Sequence, residues 1–396
     1  MKRLITVAAL GACGFGSSAT GVPQDGSTSD APPAIDAMVV APPIDAAPVD
    51  STTPPSLDAQ ACFGHGLVTI CFSTVPTDAV ILTGTIDTGV DSNCPVRAVQ
   101  SGIELCVIAG RTVTVSGTFI ATGARPLVIV GVEDVTIESG GVVDVSSKTG
   151  VRKGAGANTG TCANADPGED DGGGGGGGGG GGLGTAGGTG GEGDHNRNTR
   201  SDGTGLGGAA GSAQAVTALR GGCAGGRGGA AAQTGGPGGD GGGGVYLIAG
   251  RTLTVAGAVY ASGGGGGALN NNDGAEQGGG GGGAGGVIGL DAPSVNLSGI
   301  VAANGGAGGG GGWVGTGGKP GEDGTTLMWN MRARHGDPGP GGDGNGADGT
   351  TVGKTDMLTP RDAQGGGGGG AGGLGFVRID GTVTGGAQVS PAPTPH

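Results

Sequence analysis

The pattern of apolar and polar residues in this chain repeats. The stretch Val107–Gly123, VIAGRTVTVSGTFIATG, returns as LIAGRTLTVAGAVYASG at Leu247–Gly263. Looser copies occupy Leu127–Val145 and Gly289–Gly305, and Phe376–Thr384 fits the second half of the pattern. Self-similarity of this kind indicates a repeat architecture, in which each unit buries its apolar face against its neighbours.

Each copy is typical of a strand, a glycine turn and a second, short strand. Thr112–Val115 alternates polar and apolar residues, which places Val113 and Val115 on one face. Gly117 follows, where a tight bend needs a residue without a Cβ atom. Alignment of the copies predicts two inward rows. They are Val113, Val135, Leu253 and Val295, and Val115, Ile137, Val255 and Leu297.

The spacing of the copies predicts how the strands pair. Val113 and Val135 are too close in sequence for a helical crossover between them, so the copies should stack directly on one another. The expected fold is therefore all-β: a parallel β-solenoid, or β-helix, over residues 107–386 with an apolar ladder as its core. Residues 387–396 are expected to form a disordered tail.

Glycine changes this picture in the second half of the chain. The sequence has 107 glycines, and three glycine-rich excursions interrupt the repeats at about 150–243, 264–285 and 306–374. Each excursion begins directly after a short strand, so stacked repeats should bring the three together on one side. Two states remain open for them. They pack as extended three-fold polyglycine helices, or they stay disordered because glycine loses the most entropy on ordering.

The first sixty residues predict export and a tether. Residues 1–13 join a basic start to an apolar run, as in a signal peptide, and end in the motif LGAC. This motif resembles the lipobox of bacterial lipoproteins, which implies cleavage before Cys13 and acylation of its thiol. The alternative is an ordinary signal peptide that is cut near Ala19. Residues 14–60 are rich in Pro, Ala and Asp and predict a disordered tether.

Six further cysteines predict a disulfide framework, because export carries the chain into an oxidising compartment. Among the possible connectivities we expect the pairs Cys62–Cys71, Cys94–Cys106 and Cys162–Cys223. The first two would close short loops in an N-terminal cap, residues 61–106. The third would tie down the longest glycine-rich excursion.

Composition and motifs argue against several classes of function. The net charge is −14 with 19 lysines and arginines, so nucleic acid is not an expected partner. The four histidines are scattered, and the sequence has neither a Cys-x-x-Cys pair nor a Gly-x-Ser-x-Gly elbow. We therefore expect no metal site, no cofactor and no catalytic residues.

Two clusters of acidic residues are the candidates for a metal site or a catalytic site. One is the run around Asp166, Glu169, Asp170 and Asp171, which is more typical of a solvated surface than of a calcium site. The other is the set Glu133, Asp134, Glu138 and Asp144, which falls within one repeat. A pair of carboxylates there would suit glycoside hydrolysis, but isolated charges on a strand are usually solvated.

The order of lipobox, tether and the repeats AGRTVTVSG and GRTLTVAG resembles glycine-rich surface lipoproteins of myxobacteria-like Gram-negative bacteria. It is more distantly similar to the glycine-rich surface proteins of mycobacteria. The resemblance covers roughly residues 107–386, implies an outer-membrane or cell-surface location through a lipid anchor, and implies no activity.

We therefore expect a non-catalytic structural or adhesive protein. Its partners would be surface glycans, surface proteins or further copies of itself. The alternative is a β-helical carbohydrate-active enzyme or glycan-binding protein.

Overall fold

The structure is a computed structural model of the chain. It describes residues 61–159, 162–163, 165–171, 173–194, 205–230, 234–269, 276–313, 316–324, 329–340, 344–350 and 365–395. All of these residues belong to the unit Leu57–His396. The signal peptide, Cys13 and the tether 14–60 lie outside the described residues and stay predictions. In the described part of the chain, no helix has the length and apolarity to cross a membrane.

The fold is all-β, as the sequence predicts. A short 3-10 helix spans Asp91–Asn93. The strands in chain order are β1 (Ala61–Phe63), β2 (Ile70–Phe72), β3 (Ala79–Asp87), β4 (Val96–Gln100), β5 (Ile103–Thr122), β6 (Leu127–Ile137), β7 (Val142–Asp144), β8 (Gly244–Ala249), β9 (Thr252–Val255), β10 (Ala258–Tyr260), β11 (Val287–Leu297), β12 (Ile300–Ala302), β13 (Phe376–Thr384), β14 (Gln388–Ser390) and β15 (Thr394–Pro395).

Most of these strands form one large sheet. β1 and β2 make a separate antiparallel hairpin, and β4 joins the large sheet antiparallel to β5. The other described pairs are parallel: β3 with β5, β5 with β6, β6 with β8 and β9, these two with β11, and β11 with β13. The short strands pair in the order β5, β7, β10, β12 and β14. Successive repeats therefore lie side by side in chain order.

The two inward rows pair in the predicted register. Val135 lies between Val113 and Leu253, and Val295 follows Leu253 in the same row. The second row, Val115, Ile137, Val255 and Leu297, is paired in the same way. All eight side chains are almost fully buried in the main apolar core. Burial of each such side chain stabilises the fold by about 1.5–3 kcal/mol.

The first half of each repeat is buried on both faces of the sheet. Val128 and Val130 of β6 point away from the main core, into a second apolar cluster that contains Tyr246 of β8. The hairpin β1–β2 covers this cluster with Ile70 and Phe72. Burial on two faces explains the continuous apolar runs LVIV and VYLIA, because such strands have no solvent-facing positions to alternate with.

Both the predicted N-terminal cap and the predicted C-terminal tail contribute strands to the large sheet. In the cap, β3 pairs in parallel with β5 and places Val80 next to Val113, so it is a first repeat in its own right. The disordered tail predicted for residues 387–396 is wrong for β14 and β15. β14 sets Val389 beside Val301 in a row of buried residues, and this apolar contact helps to offset the entropy lost on ordering.

The structure contains the three expected disulfides, Cys62–Cys71, Cys94–Cys106 and Cys162–Cys223. Disulfides of this kind form and persist in oxidising compartments. They indicate an exported or extracellular protein.

The third disulfide should contribute the most stability. Its cysteines are 61 residues apart, against 9 for Cys62–Cys71. On the chain-entropy model, replacing both Cys162 and Cys223 with serine should cost roughly 4 kcal/mol, and the same change at Cys62 and Cys71 about 2.5 kcal/mol. Denaturant unfolding of the two variants measures the difference. Equal losses would show that loop closure is not the main effect.

Candidate functional site

The three glycine-rich excursions are ordered in the described residues and lie against one another. Backbone hydrogen bonds join the first excursion to the second through Gly178 and Gly279, and the third to the second through Gly309 and Gly280. The extended segments are 165–171, 173–183, 185–194, 205–212, 220–230, 234–243, 263–269, 276–286, 303–313, 316–324, 331–340, 344–350 and 365–375. We call this assembly the glycine bundle.

Segment 173–183 shows the internal symmetry of the bundle. The N–H groups of every third residue donate to the same neighbouring segment. They are Gly175, Gly178 and Gly181 towards 276–286, Gly176 and Gly179 towards 165–171, and Gly177 and Gly180 towards 185–194. A period of three residues per turn is that of the extended polyproline II type of helix. Of the two states left open by the sequence, the described segments have the hydrogen-bond period expected of packed three-fold helices.

The carbonyl groups of the same segment are also engaged. They accept hydrogen bonds from segments 205–212, 220–230 and 365–375, so segment 173–183 is enclosed by neighbours on every side. Segments 276–286 and 303–313 are enclosed in the same way. Buried backbone N–H and C=O groups need hydrogen-bond partners. In the bundle, the neighbouring segments supply these partners.

Many interior positions of the bundle admit only glycine. A Cβ atom on Gly180 would lie 1.8 Å from the carbonyl oxygen of Ala371, and one on Gly177 would lie 1.9 Å from that of Gly368. Both distances are far inside van der Waals contact, and the obstacle is backbone rather than a movable side chain. Glycine at the axis of collagen meets the same constraint. The inter-segment hydrogen bonds help to offset the entropy that glycine loses on ordering.

Side chains connect the bundle to the sheet. Leu183 and Leu219 are buried in the second apolar cluster, together with strands β6 and β8. The guanidinium of Arg220 lies 3.0 Å from Sγ of Cys162 and 3.2 Å from Sγ of Cys223, and it donates to Oε1 of Gln214. Burial lowers the pKa of Arg220. The disulfide, this arginine and the two leucines fix one end of the bundle to the strands.

Two outer segments present a row of side chains to solvent. On segment 205–212, Leu206, Ala209 and Ser212 are exposed, while the glycines at 205, 208 and 211 are buried. Segment 185–194 repeats the arrangement with Ala186 and Thr189 exposed. The sequence pattern behind it is one variable residue followed by two others that are mostly glycine. We call these exposed positions the bundle face.

The acidic run of the first excursion is solvated, as expected. Asp166, Glu169 and Asp170 are exposed on segment 165–171, while Ala165 and Gly168 face the bundle. Asp170 also pairs with an arginine of the neighbouring segment at 3.6 Å. In the part of the chain that the structure describes, no group of His, Cys, Asp and Glu side chains could hold a metal ion.

The four carboxylates of the second repeat do not form a shared site. Glu133 and Asp134 pair with Arg251 at 3.1 and 2.8 Å on the outer face of the sheet. Asp144 pairs with an arginine eight residues later, and Glu138 is exposed. Each charge is thus neutralised locally or solvated.

A different pair of carboxylates does converge. Asp291 of β11 and Asp380 of β13 are neighbours across the parallel ladder. They lie in a cleft of about 410 Å³ that is also lined by His65 and Arg378. Buried Tyr246 reaches both carboxylates, with its hydroxyl 3.0 Å from Oδ2 of Asp380 and 3.4 Å from Oδ2 of Asp291. Together these residues form a group that we call the polar clamp.

The polar clamp fastens the N-terminal hairpin to the sheet. Oδ2 of Asp291 accepts the backbone N–H groups of His65 at 2.6 Å and Gly66 at 2.9 Å. The hydroxyl of Tyr246 accepts the N–H of Leu67 at 3.0 Å. Burial, and then the two carboxylates, raise the pKa of this tyrosine. The loop between β1 and β2 is therefore held by side chains from two distant strands.

Asp380 is engaged from a second direction. The guanidinium of Arg378 reaches both of its carboxylate oxygens, at 2.8 Å for the closer contacts. A Cβ atom on Gly66 would collide with Oδ2 of Asp380 and with the hydroxyl of Tyr246, so the loop can cross the clamp only at a glycine. Each carboxylate of the polar clamp is thus bound by neighbouring groups of the chain.

Removing the tyrosine hydroxyl tests the clamp. Tyr246→Phe leaves the buried N–H of Leu67 without its acceptor, which should cost about 1–3 kcal/mol. Denaturant unfolding gives the free energy, and hydrogen exchange of the hairpin shows where protection is lost. Tyr260→Phe is the matched control, because that ring belongs to a different apolar cluster on the short strands. Unchanged hydrogen-exchange protection of the hairpin in Tyr246→Phe would show that the polar clamp does not hold it.

Sequence reasoning missed the polar clamp because its residues are far apart in the chain. Asp291 lies 226 residues from His65, and Tyr246 lies 134 residues from Asp380. No short motif connects them. The one local signal is that Asp291 and Asp380 fall at the same position of two repeats.

Comparison with known proteins adds no assignment. No family model, no curated protein and no solved structure matches the chain. Its function is therefore inferred from its residues and their geometry.

Proposed function

We propose that this chain is a lipid-anchored, non-catalytic structural or adhesive protein of the bacterial cell surface. In this proposal the parallel strands form a β-solenoid that carries the glycine bundle as its presented surface. The observation that carries the proposal is the bundle itself. Much of the described part of the chain, drawn from all three excursions, builds one hydrogen-bonded body beside the sheet.

The solenoid interpretation is supported by the pairing of the repeats. Each long strand pairs in parallel with the equivalent strand of the next repeat, and the short strands do the same. One inward row thus runs through every repeat. A stack of this kind is a rigid support whose insertions leave from one face.

A lipid anchor would place this support at a membrane surface. The tether 14–60 would then separate the folded part from the lipid, since proline-rich chains are extended and stiff. The outer-membrane location follows from the resemblance to surface lipoproteins of Gram-negative bacteria. Single acyl chains bind membranes only weakly, so stable anchoring needs the two or three chains of a mature lipoprotein.

Mass spectrometry of the mature protein tests the anchor. We expect the N-terminal residue to be Cys13 with a diacylglyceryl or triacyl modification. Cys13→Ser should remove the modification and release the protein from membranes. An unmodified N-terminus near Thr20 in the wild-type protein would contradict the anchor.

The bundle face offers contacts for a partner without a deep pocket. Its exposed rows combine small, apolar and hydroxyl side chains over a backbone that is hydrogen-bonded to neighbouring segments. A rigid surface loses little entropy when it binds, which favours adhesion through many weak contacts. Surface glycans, surface proteins and other copies of the chain all fit this description.

A pair of matched variants tests the face. Thr189→Lys with Ala209→Lys changes two exposed positions of the bundle face, and Thr252→Lys with Thr254→Lys changes two outward positions of the sheet. Both variants should fold, because each substitution is at a solvent-facing position. Binding of purified protein to intact cells and to isolated surface polysaccharide should fall with the first variant only. Equal binding by both would refute the bundle face as the adhesive surface.

A second candidate is a β-helical carbohydrate-active enzyme or glycan-binding protein. The observation in its favour is the cleft with Asp291 and Asp380, because paired carboxylates are the machinery of glycoside hydrolysis. Against it, both carboxylates already serve the polar clamp. Cleavage of a polysaccharide by purified protein, abolished by Asp291→Asn or Asp380→Asn in variants that remain folded, would establish this candidate and overturn the non-catalytic one.

A further inference from the structure

The parallel sheet has an open edge at each end of the stack of repeats. At the N-terminal end, β3 pairs with β5 and has no other strand partner among the described residues. At the C-terminal end, β15 covers β13 only at Arg378 and Ile379, so no described strand pairs with the far side of residues 381–384. A free strand edge presents unpaired N–H and C=O groups that can bind another strand.

The N-terminal edge has little of the usual protection: a register shift between Leu82 and Gly84 is its one irregularity in the pairing with β5. Natural proteins block exposed edges with charged side chains, proline or very short strands. β3 is nine residues long, and its sequence AVILTGTID has no proline and no charge before Asp87. Ile81 on its outer face is 71% exposed. This edge is therefore open to pairing.

The C-terminal edge exposes an apolar side chain of the core row. Val383 pairs with Val295 on one side and meets solvent on the other. It is 49% exposed, whereas Val295 is fully buried. The difference arises because no described residue follows Val383 in the row and covers its side chain.

The two edges are the two ends of one row. That row begins at Val80, runs through the buried ladder and ends at Val383. β3 and β13 also run in the same direction, since every step between them is parallel. The strand that would extend the C-terminal edge thus has the direction and inward pattern of β3.

We propose that copies of this chain associate head to tail, with β13 of one copy paired in parallel to β3 of the next. Val383 would lie beside Val80 of the neighbouring copy, and Thr384 beside Ile81. Each contact would repeat the parallel pairing that neighbouring strands of the row already make within the chain. Because the two surfaces differ, the association does not close on itself and forms open rows. Anchored at a surface, such rows would align many glycine bundles.

Sedimentation of the full mature chain over a wide range of concentration provides the first measurement. The wild-type protein should form a growing series of oligomers. Val80→Lys places a charge in the inward row at the N-terminal edge, and Val383→Lys does so at the C-terminal edge. Each variant alone should therefore be monomeric, with association weakened at least about tenfold. A wild-type protein that stays monomeric at every concentration would overturn the proposal.

Mixing the two variants tests the direction of pairing. Val80→Lys keeps its C-terminal edge and Val383→Lys keeps its N-terminal edge, so an equimolar mixture should form dimers and nothing larger. Dimers of Val383→Lys alone would mean that β3 pairs with β3, and a monomeric mixture would mean that the edges do not pair. Both results contradict head-to-tail association. If either lysine variant fails to fold, Val80→Asn or Val383→Asn places an uncharged polar group at the same end of the inward row and should weaken association in the same way. Cell binding through the bundle face can be measured on the monomeric variants, so failure here is distinguishable from failure of the proposed function.

Discussion

Gly180→Ala should destabilise the protein severely, although it adds only one methyl group. The new Cβ atom would meet the carbonyl oxygen of Ala371, and segments 173–183 and 365–375 would have to separate. Overpacking of this kind typically costs 1–3 kcal/mol, and we expect about 3 kcal/mol or more because both sides of the contact are backbone. The loss should spread through the bundle, since the same segment is enclosed by hydrogen-bonded neighbours.

Gly264→Ala is the matched control. This glycine also belongs to the bundle, but the nearest atoms to an added Cβ are the carbonyl oxygen of Asp240 and the amide nitrogen of Thr149, both at 3.5 Å. That is ordinary contact, so the change should be neutral or even stabilise by about 0.4–1 kcal/mol through the unfolded chain. Denaturant unfolding compares the two variants. Equal stability of Gly180→Ala and Gly264→Ala would show that the segments are not packed as described.

Leu253→Asp should be the most damaging change in the sheet. The side chain is fully buried between Val135 and Val295, and an aspartate there would carry an unpaired charge into an apolar row. The expected cost is about 3–5 kcal/mol, or a failure to fold. Thr254→Asp is the control, since Thr254 points outward beside Thr136 and Asn296 and should lose no more than about 0.5 kcal/mol. Thermal and denaturant unfolding measure both, and similar tolerance would contradict the stacked ladder.

The strands could be predicted from sequence because their pattern is local and repeated. Alternation in Thr112–Val115 defines an inward face, and the repetition of this alternation in four other places defines the register. The pairing of Val135 with Leu253 needed no knowledge of the 106 residues between β6 and β8, because the repeats themselves align.

The order of the glycine bundle could not be decided in that way. A run such as Gly173–Gly182 has no side chains, so its period of three leaves no trace in the sequence. Order depends on whether enough neighbouring segments are present to satisfy each backbone group, which is a property of the assembled bundle. The outer segments do carry a trace, since exposed residues recur every third position at Ala186 and Thr189 and at Leu206 and Ala209.

The prediction of a disordered tail at residues 387–396 is wrong for a related reason. The sequence after Thr384 is short and contains three prolines, which is typical of a disordered end. β14 is nevertheless a strand, because it pairs with the open edge of β12. Val389 also packs in the row of buried residues on the short strands. The edge of a stack can thus order a segment that has little preference of its own.

Hydrogen exchange of the bundle's glycine amides tests the central claim most directly. In protein labelled selectively with ¹⁵N-glycine, the glycine amides of residues 175–181 and 278–286 donate hydrogen bonds to neighbouring segments and should exchange as slowly as those of the core strands. Glycines outside the bundle, such as Gly102 and Gly386 in turns, should exchange rapidly and serve as the internal reference. Slow exchange throughout the enclosed segments is the result that an ordered glycine bundle predicts. Exchange at the rate of the turn glycines would contradict it.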